Sequence, residues 1–357
     1  MSIAGALEIV TVDPAVDARW RVLATGPAAS LFTSPPWIAA VCGTYGFVPE
    51  ARIALDPSGR PVGGLAWVRV EDPRGGRSIS LPFCDRADPL VPDAAVWDAV
   101  AGPAITAATT GTQPPFTLRC LDGCPATADP RLRVVGEAAW HGTPLDGDLD
   151  GLRTRLSGTS RRNLNTARRA GVTVEVRSDL DAVRVMHALH VRLRKYKYRL
   201  LAQPVGLFER IWQEFAIEDG VTTLVARVDG DVVAAALFLE WDGVLYYKFG
   251  ASVPEQLRLR PNDALYWTAL GLATERGLRS VDWGLSDLDQ PGLVAFKRKW
   301  ASVERSVLTL RAGEPAPGPS QREFGRSLGE LTSLLTDPRV PDEITERAGA
   351  ELYRYFC

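Results

Sequence analysis

Ala226-Arg227-Val228-Asp229-Gly230-Asp231-Val232-Val233-Ala234-Ala235-Ala236-Leu237 is the stretch whose reading decides the fold of this chain. An apolar run meets Asp-Gly and resumes with small residues, which is the signal of a strand, a tight turn and a returning strand. The stretch has an echo upstream. Ala54-Leu55-Asp56-Pro57-Ser58-Gly59-Arg60-Pro61-Val62-Gly63-Gly64-Leu65 is again a strand, an acidic-Gly turn and a strand that opens on small residues. One such hairpin in the middle of each half of a 357-residue chain points to one plan used twice.

Working outward, each half fills in around its hairpin. Ser34-Pro35-Pro36-Trp37 starts a helix, with Ser as cap and Pro in the first turn, and Ile38 to Val41 continues it. Strands follow at Ala51–Leu55, Val62–Val70 and Ser78–Pro82, then a helix from Asp93 to Ala108 and strands at Phe116–Cys120 and Arg133–Val135. The second half reads as a basic helix, Arg153–Ala170, stopped by Gly171, and a strand, Val172–Val176. Helices Leu180–Tyr198 and Val205–Ala216 precede strands Thr222–Val228, Val232–Trp241 and Val244–Phe249. Helix Asn262–Arg276, strand Ser280–Trp283 and strand Val303–Leu310 complete it. The expected organisation is an N-terminal domain over 1–150, a second over 151–311, a Pro/Gly linker over 312–320 and C-terminal helices over 321–357. The fold class is α/β with a mixed sheet.

Composition narrows the function. Apolar residues make up 46% and charged residues 24%, with a net charge of −2, so the chain is not a uniformly basic nucleic-acid binder. No transmembrane segment is expected, because no stretch approaches the roughly 20 apolar residues that crossing a membrane takes. Met1 to Asp13 lacks the basic start and apolar core of a signal peptide, so a cytoplasmic location is expected. Cys42, Cys84, Cys120, Cys124 and Cys357 read as reduced thiols, and no metal site is expected. His187 and His190, three apart on one helix, read as packed or exposed; with His141 they are the three histidines.

Charge is distributed unevenly. Residues 153–199 hold eleven Arg and two Lys against Glu175, Asp179 and Asp181, a net +10. A polyanionic partner such as tRNA, a nucleotide-linked precursor or the phosphates of CoA fits this, and so do solvated helix faces. Arg161-Arg162 and Arg168-Arg169 recur seven apart and share a helix face, as a phosphate-facing stripe would. Arg192 to Arg199 interleaves cations with Tyr196 and Tyr198, which suits base stacking or amphipathic packing equally.

These segments together resemble a known family. Arg161-Arg162-Asn163-Leu164 with Ala167 to Gly171, the strand Val232–Leu239, Gly277-Leu278-Arg279-Ser280-Val281-Asp282-Trp283-Gly284 and Phe296-Lys297-Arg298-Lys299-Trp300 occur in the order found in GNAT acetyltransferases of the branch related to Fem-type aminoacyltransferases. Ser34 to Trp37 and Leu81-Pro82-Phe83-Cys84-Asp85 resemble the early motifs. The likeness spans roughly residues 30 to 311. It implies two tandem GNAT-like domains with a short helical tail, and transfer of an acyl or aminoacyl group to a small-molecule or precursor amine. The donor would be acyl-CoA or aminoacyl-tRNA, used as a co-substrate, with no tightly bound cofactor.

The resemblance also implies site residues. Lys297 lies where Fem-type enzymes keep a lysine near the acyl centre, placed to stabilise an oxyanion. Asp282 and Asp85 are the acidic candidates for accepting a proton, and Asp287 lies in the polar loop after Asp282, which reads equally as a turn. Tyr247 and Lys248 alternate on a strand, with Tyr246 and Lys248 sharing one face. Arg162, Asn163, Arg168 and Trp37 are expected at the substrate. GNAT enzymes cradle the CoA diphosphate on backbone N–H groups at a helix N-terminus. Here that passage is Arg258-Leu259-Arg260-Pro261-Asn262-Asp263-Ala264, which has no glycine, a proline without a donor and an acid; Arg258 and Arg260 remain as side-chain donors. The alternative reading is a non-catalytic GNAT-fold binding or assembly protein that recognises a polyanionic ligand.

Overall fold

The computed structural model describes residues 7–314 and 317–357, so Pro315 of the expected linker and the first residues of the N-terminal reading lie outside the described residues. The chain forms two compact units. Unit 1 comprises 1–139, 305–328 and 357; unit 2 comprises 140–304 and 329–356. The division is discontinuous where the sequence suggested consecutive domains, because the last strand and the start of the C-terminal helical segment return to unit 1.

Unit 1 opens with β1 (Glu8–Val12), α1 (Ala18–Leu23), α2 (Pro35–Tyr45), β2 (Pro49–Leu55), β3 (Pro61–Val70), β4 (Arg77–Ile79), α3 (Ala94–Thr109) and β5 (Phe116–Leu121). β6 (Arg133–Pro144) leads into unit 2, which continues with α4 (Leu149–Arg155), α5 (Gly158–Arg169), β7 (Thr173–Arg177), α6 (Leu180–Arg192) and α7 (Val205–Ala216). Then come β8 (Val221–Val228), β9 (Asp231–Trp241), β10 (Val244–Ser252), α8 (Pro261–Glu275), β11 (Ser280–Asp287) and α9 (Pro291–Lys297). β12 (Val303–Ala312), α10 (Pro319–Leu335) and α11 (Asp342–Leu352) end the chain.

The two hairpins that suggested a repeated plan are both formed. β2 pairs antiparallel with β3 and β8 with β9. Asp229 (φ 50°) and Gly230 (φ 88°) are both left-handed, the conformation that an Asp-Gly hairpin turn demands. Each unit then repeats one further construction. In unit 1 β4 runs parallel to β5 with α3 between them in sequence, and in unit 2 β10 runs parallel to β11 with α8 between them. The remaining printed pairings are antiparallel, so each unit carries the mixed sheet expected of the fold class.

Packing follows the strand alternation. In unit 2, Leu224, Ala226, Ala234, Ala236 and Phe238 form one face and pack with Leu265, Tyr266, Ala269, Leu270 and Ala273 of α8. Val225, Ala235 and Leu237 are just as buried on the other face, where Phe249 meets His190 of α6 and Phe208 of α7. Burial on both faces explains why β9 reads as an almost unbroken apolar run. In unit 1, α3 packs Val96, Trp97, Val100, Ala101 and Ile105 on Leu65, Trp67, Phe116 and Leu118.

Several elements differ from the sequence expectation. The single helix over Arg153–Ala170 is two: Leu156 is extended (ψ 141°), and the Ser157 hydroxyl accepts from the Ser160 amide (3.1 Å) to start a new helix. The helix expected to reach Tyr198 is α-helical only to Arg192; Leu193–Tyr198 winds as a π-helix that ends on Arg199 at φ 54°. That wider turn buries Lys195, which donates to Asp342 Oδ1 (2.7 Å), while Tyr196 Oη donates to the same atom (2.8 Å). Lys195 and Tyr196 of the interleaved stretch therefore fasten α11. β4 stops at Ile79, and Leu81 and Phe83 follow at φ 57° and 58°, where no strand can continue. β1, α1 and α9 were not anticipated.

His187 and His190 are packed, as their spacing suggested, with Gln203 meeting Nε2 of both through its backbone carbonyl (3.0 Å) and its side-chain oxygen (2.7 Å). Burial lowers the His187 pKa and drives His190 down to about 3. A histidine whose folded pKa lies below its unfolded value of roughly 6.5 contributes stability that is full above that value and declines as pH falls towards the folded one. The thermal midpoint, followed by circular dichroism, should therefore fall between pH 7 and pH 5, before carboxylates titrate, and should be level from pH 7 to pH 8.

Candidate active site

The candidate site of unit 2 forms where two parallel strands part. β10 and β11 pair at Val244↔Ser280, Leu245↔Val281 and Tyr246↔Asp282, and these are the pairs found among the described residues. One residue further, β10 carries a register irregularity between Tyr247 and Phe249 in its pairing with β9. Past the last pair, β11 continues through Trp283, Gly284 (φ 71°), Leu285 and Ser286.

Aromatic rings fill the space beneath. Tyr266 of α8 stacks on Trp283 (centroids 4.4 Å, 7° between planes), Tyr247 leans on Tyr266 (5.2 Å), and Phe296 of α9 meets Tyr266 edge-on (5.1 Å). Tyr247 is coiled over Gly250: a Cβ there would lie 1.9 Å from the Tyr247 hydroxyl, so glycine is required. Burial pushes the Tyr247 pKa up to about 12 and that of Tyr266 well above the usual phenol value. Both rings are therefore neutral scaffold at physiological pH. The irregularity at Lys248 also overrides the alternation read from the sequence; the Lys248 ammonium lies over the Phe249 ring (5.6 Å).

Phe296 is held by that stack, and the next residue is Lys297. Its side chain is buried and its Nζ donates a short hydrogen bond to the Leu285 carbonyl of β11. His141 of β6 is fully buried nearby. Its pKa is lowered to about 4, first by burial and then by the Lys297 charge, with Glu304 opposing; Glu304 Oε2 lies 3.4 Å from Nδ1. Neither ring nitrogen of His141, nor the hydroxyl of buried Ser286, has a hydrogen-bond partner among the described residues. Arg298 holds Glu304 through two bonds of 2.7 Å. The pair is a cation and a neutral imidazole in a water-poor place at a strand end, a setting in which charge interactions are strong. His141 was missed in the sequence because a lone histidine on a strand carries no spacing signal.

Other expected residues take different positions. Asp282 is buried and accepts from Trp140 Nε1 (2.8 Å) and the Gly284 amide (2.7 Å), so each carboxylate oxygen holds the β11 end in place. Asp287 is exposed and accepts from Gln290 Nε2 (3.4 Å), which is the turn alternative. Asn163 is buried rather than open to substrate: its amide donates to Asp263 Oδ1 (3.0 Å) and joins α5 to α8. Arg162 and Arg168 are exposed on α5. Trp37 and Asp85 belong to unit 1. Trp37 is buried with its Nε1 on Cys84 Sγ (3.3 Å), a packing role in place of substrate contact, and Asp85 is half-buried.

The N-terminus of α8 decides what a donor can meet there. Arg260 precedes it at φ 62°, Pro261 supplies no N–H, and Asn262 Oδ1 is engaged by the Ser252 hydroxyl (2.6 Å). Asp263 is buried in the first turn, its pKa raised by burial and partly restored by Asn163. The protein's own carboxyl group stands where the helix would attract a phosphate. Arg258 and Arg260 are exposed beside it.

With this geometry in hand, comparison with known proteins is informative. Residues 154–298 match the sequence profile described as Acetyltransferase (GNAT) domain. This segment is similar to GNAT acetyltransferase domains. The fold of the chain is similar to the crystal structure of FemX (15% identity, 84% of this chain and 96% of that one, TM-score 0.68). It is similar too to a tandem GNAT protein from the clavulanic acid biosynthesis pathway (16% identity, 88% and 100%, TM-score 0.50). A third is the C-terminal domain of a putative lysylphosphatidylglycerol synthetase from Agrobacterium fabrum (16% identity, 81% and 90%, TM-score 0.51). No curated protein sequence is similar enough to count as a match. The fold of the chain is thus shared with FemX, and residues 154–298 match the profile of an acetyltransferase domain.

Removing Asn163 leaves Asp263 buried without its side-chain donor. Asn163→Ala should lower unfolding free energy by about 1–3 kcal/mol in urea denaturation, whereas Arg162→Ala, on the exposed face, should change it by no more than about 0.5 kcal/mol.

Proposed function

We propose that this protein is an N-acyltransferase of Fem-like type that takes an aminoacyl group from aminoacyl-tRNA and passes it to an amine. The observation that carries the choice of donor is the α8 N-terminus, where Pro261 withholds a donor and buried Asp263 occupies the first turn. A CoA diphosphate placed there would face a carboxyl group where a GNAT enzyme needs free N–H groups. An aminoacyl ester makes no such demand, since its phosphates lie along an RNA chain and can be met by exposed cations. Arg161, Arg162, Arg168 and Arg169 supply these on α5. A tRNA donor is charged in the cytoplasm, which is where this reading sets the reaction.

In the reaction the neutral amine of the acceptor attacks the ester carbonyl. A C–N bond forms, the carbonyl oxygen becomes an oxyanion, and collapse breaks the C–O bond to release the ribose hydroxyl. The proton shed by the amine ends on that leaving oxygen. Lys297 provides the positive charge for the oxyanion, and its tie to Leu285 O fixes the ammonium at the strand opening. His141, neutral at physiological pH, keeps the surroundings of Lys297 free of a second cation.

Binding of acetyl-CoA and of an aminoacyl-tRNA pool, measured by calorimetry at two salt concentrations, tests the donor. Salt-sensitive tRNA binding without acetyl-CoA binding is expected; saturable acetyl-CoA binding overturns the choice of donor, and binding of neither favours a non-catalytic role. Lys297→Ala should reduce transfer by about 10²–10³-fold, as loss of an oxyanion donor does, with unchanged circular dichroism. Unaltered transfer in a folded Lys297→Ala protein would remove Lys297 from the mechanism.

A further inference from the structure

Cys120 and Cys124 are neighbours in unit 1, and the acyl-transfer mechanism uses neither. Cys120 lies on β5 and is fully buried in the core that α3 covers. Cys124 packs against the same core from the turn that follows and stays partly open to solvent. The turn is tight. The Cys124 amide donates to the Leu121 carbonyl (3.3 Å), the Asp122 amide donates to the Ser306 carbonyl of β12 (2.9 Å), and Gly123 takes a left-handed φ of 87°. The chain thereby folds back on the strand it has just left, and the second thiol meets the first.

The two sulfurs are unlike. The Cys120 thiol donates to the Cys124 sulfur, and the backbone amides of Ala126 and Thr127 donate to that sulfur as well. Donors converging on one sulfur favour its thiolate, the reactive form. The Cys124 pKa is accordingly lowered, by the bond from Cys120 first, against burial and the charge of Asp88. The same bond, with burial, Cys124, Asp88 and Asp122, pushes the Cys120 thiol up. Other cysteines lack this setting. Burial drives Cys42 up to about 12 and also raises Cys357, and Cys84 is buried against Trp37 Nε1 (3.3 Å). Cys124 combines access to solvent, converging donors and a second thiol within reach.

We propose that Cys124 and Cys120 form a redox-active pair that a hydroperoxide converts to a disulfide, with Cys124 as the attacking sulfur and Cys120 as the resolving one. The Cys124 thiolate attacks one peroxide oxygen. An S–O bond forms, the O–O bond breaks, and the departing oxygen takes up a proton and leaves as water. Cys124 is then a sulfenic acid. The Cys120 sulfur gives up its proton and attacks the Cys124 sulfur; the S–S bond forms, the S–O bond breaks and a second water leaves. Two thiols are oxidised by two electrons in all, and hydrogen peroxide is reduced to two waters. An added dithiol reverses the disulfide by exchange.

Peptide mapping of the native full-length protein tests this. The protein is treated with hydrogen peroxide, alkylated with N-ethylmaleimide, digested with trypsin and weighed. Both cysteines fall in one peptide, residues 120–131, between Arg119 and Leu132. That peptide should become two hydrogens lighter and closed to N-ethylmaleimide, at least about tenfold faster than Cys42 or Cys84 is lost. Dithiothreitol should restore it. In Cys120→Ser, dimedone should label Cys124 as a trapped sulfenic acid, and in Cys124→Ser, Cys120 should stay reduced over the same time. A wild-type peptide that remains doubly alkylated while Cys42 or Cys84 is oxidised overturns the proposal. So does a folded Cys124→Ser protein whose Cys120 oxidises as fast as the wild-type pair. The wild-type measurement needs no variant, and because the assay reads no transfer, its failure leaves the acyl-transfer reading untouched.

Discussion

The stacking of Tyr266 on Trp283 is the contact on which the strand opening of unit 2 depends. It joins α8 to β11 at the level where β11 leaves β10, and a gap between parallel strands persists only if something fills the space below it. Phe296 seats on the same ring and so fixes the end of α9, which directs Lys297 to the Leu285 carbonyl. Thr143 extends the arrangement to β6: it accepts from Trp283 Nε1 (2.9 Å) and donates to the Trp300 carbonyl (2.6 Å). The Trp283 indole N–H is thereby satisfied without opening the core to water.

A second constraint comes from α8 itself. An acidic residue in the first turn of a helix is ordinarily a solvated partner of the dipole, worth about 0.3–1 kcal/mol. Asp263 is instead buried and tied to Asn163, so the same carboxyl group both braces α5 and closes the helix end to an outside anion. Packing and helix-end electrostatics thus meet in one residue.

Sequence periodicity was a good guide wherever local chemistry settles the backbone. The Asp-Gly turns, the Ser34 cap and the two-faced apolar run of β9 were all legible, because each follows from a residue's own dihedral or burial preference. The errors fall where a distant partner intervenes. Nothing in Arg192 to Arg199 announces Asp342, the group that draws Lys195 inwards through a π-helical turn. Nothing around Tyr247 announces the irregularity in β10 between Tyr247 and Phe249, which leaves Lys248 out of the regular register. Asp282 and Asn163 were picked out by motif, and the structure surrounds both with hydrogen-bond partners that the motif did not announce.

By itself the sequence determined the repeated α/β plan, the GNAT resemblance and the residue make-up of the Phe296-Lys297 and Arg258–Ala264 passages. These rest on residue identities at short spacing, where dihedral preference and charge act directly. Only the tertiary structure decided that His141 stands beside Lys297 and that Asp263 is buried. The reason is desolvation. The character of a histidine, a carboxyl group or a guanidinium depends on how much water and which charges surround it, and those surroundings are assembled from segments a hundred or more residues apart.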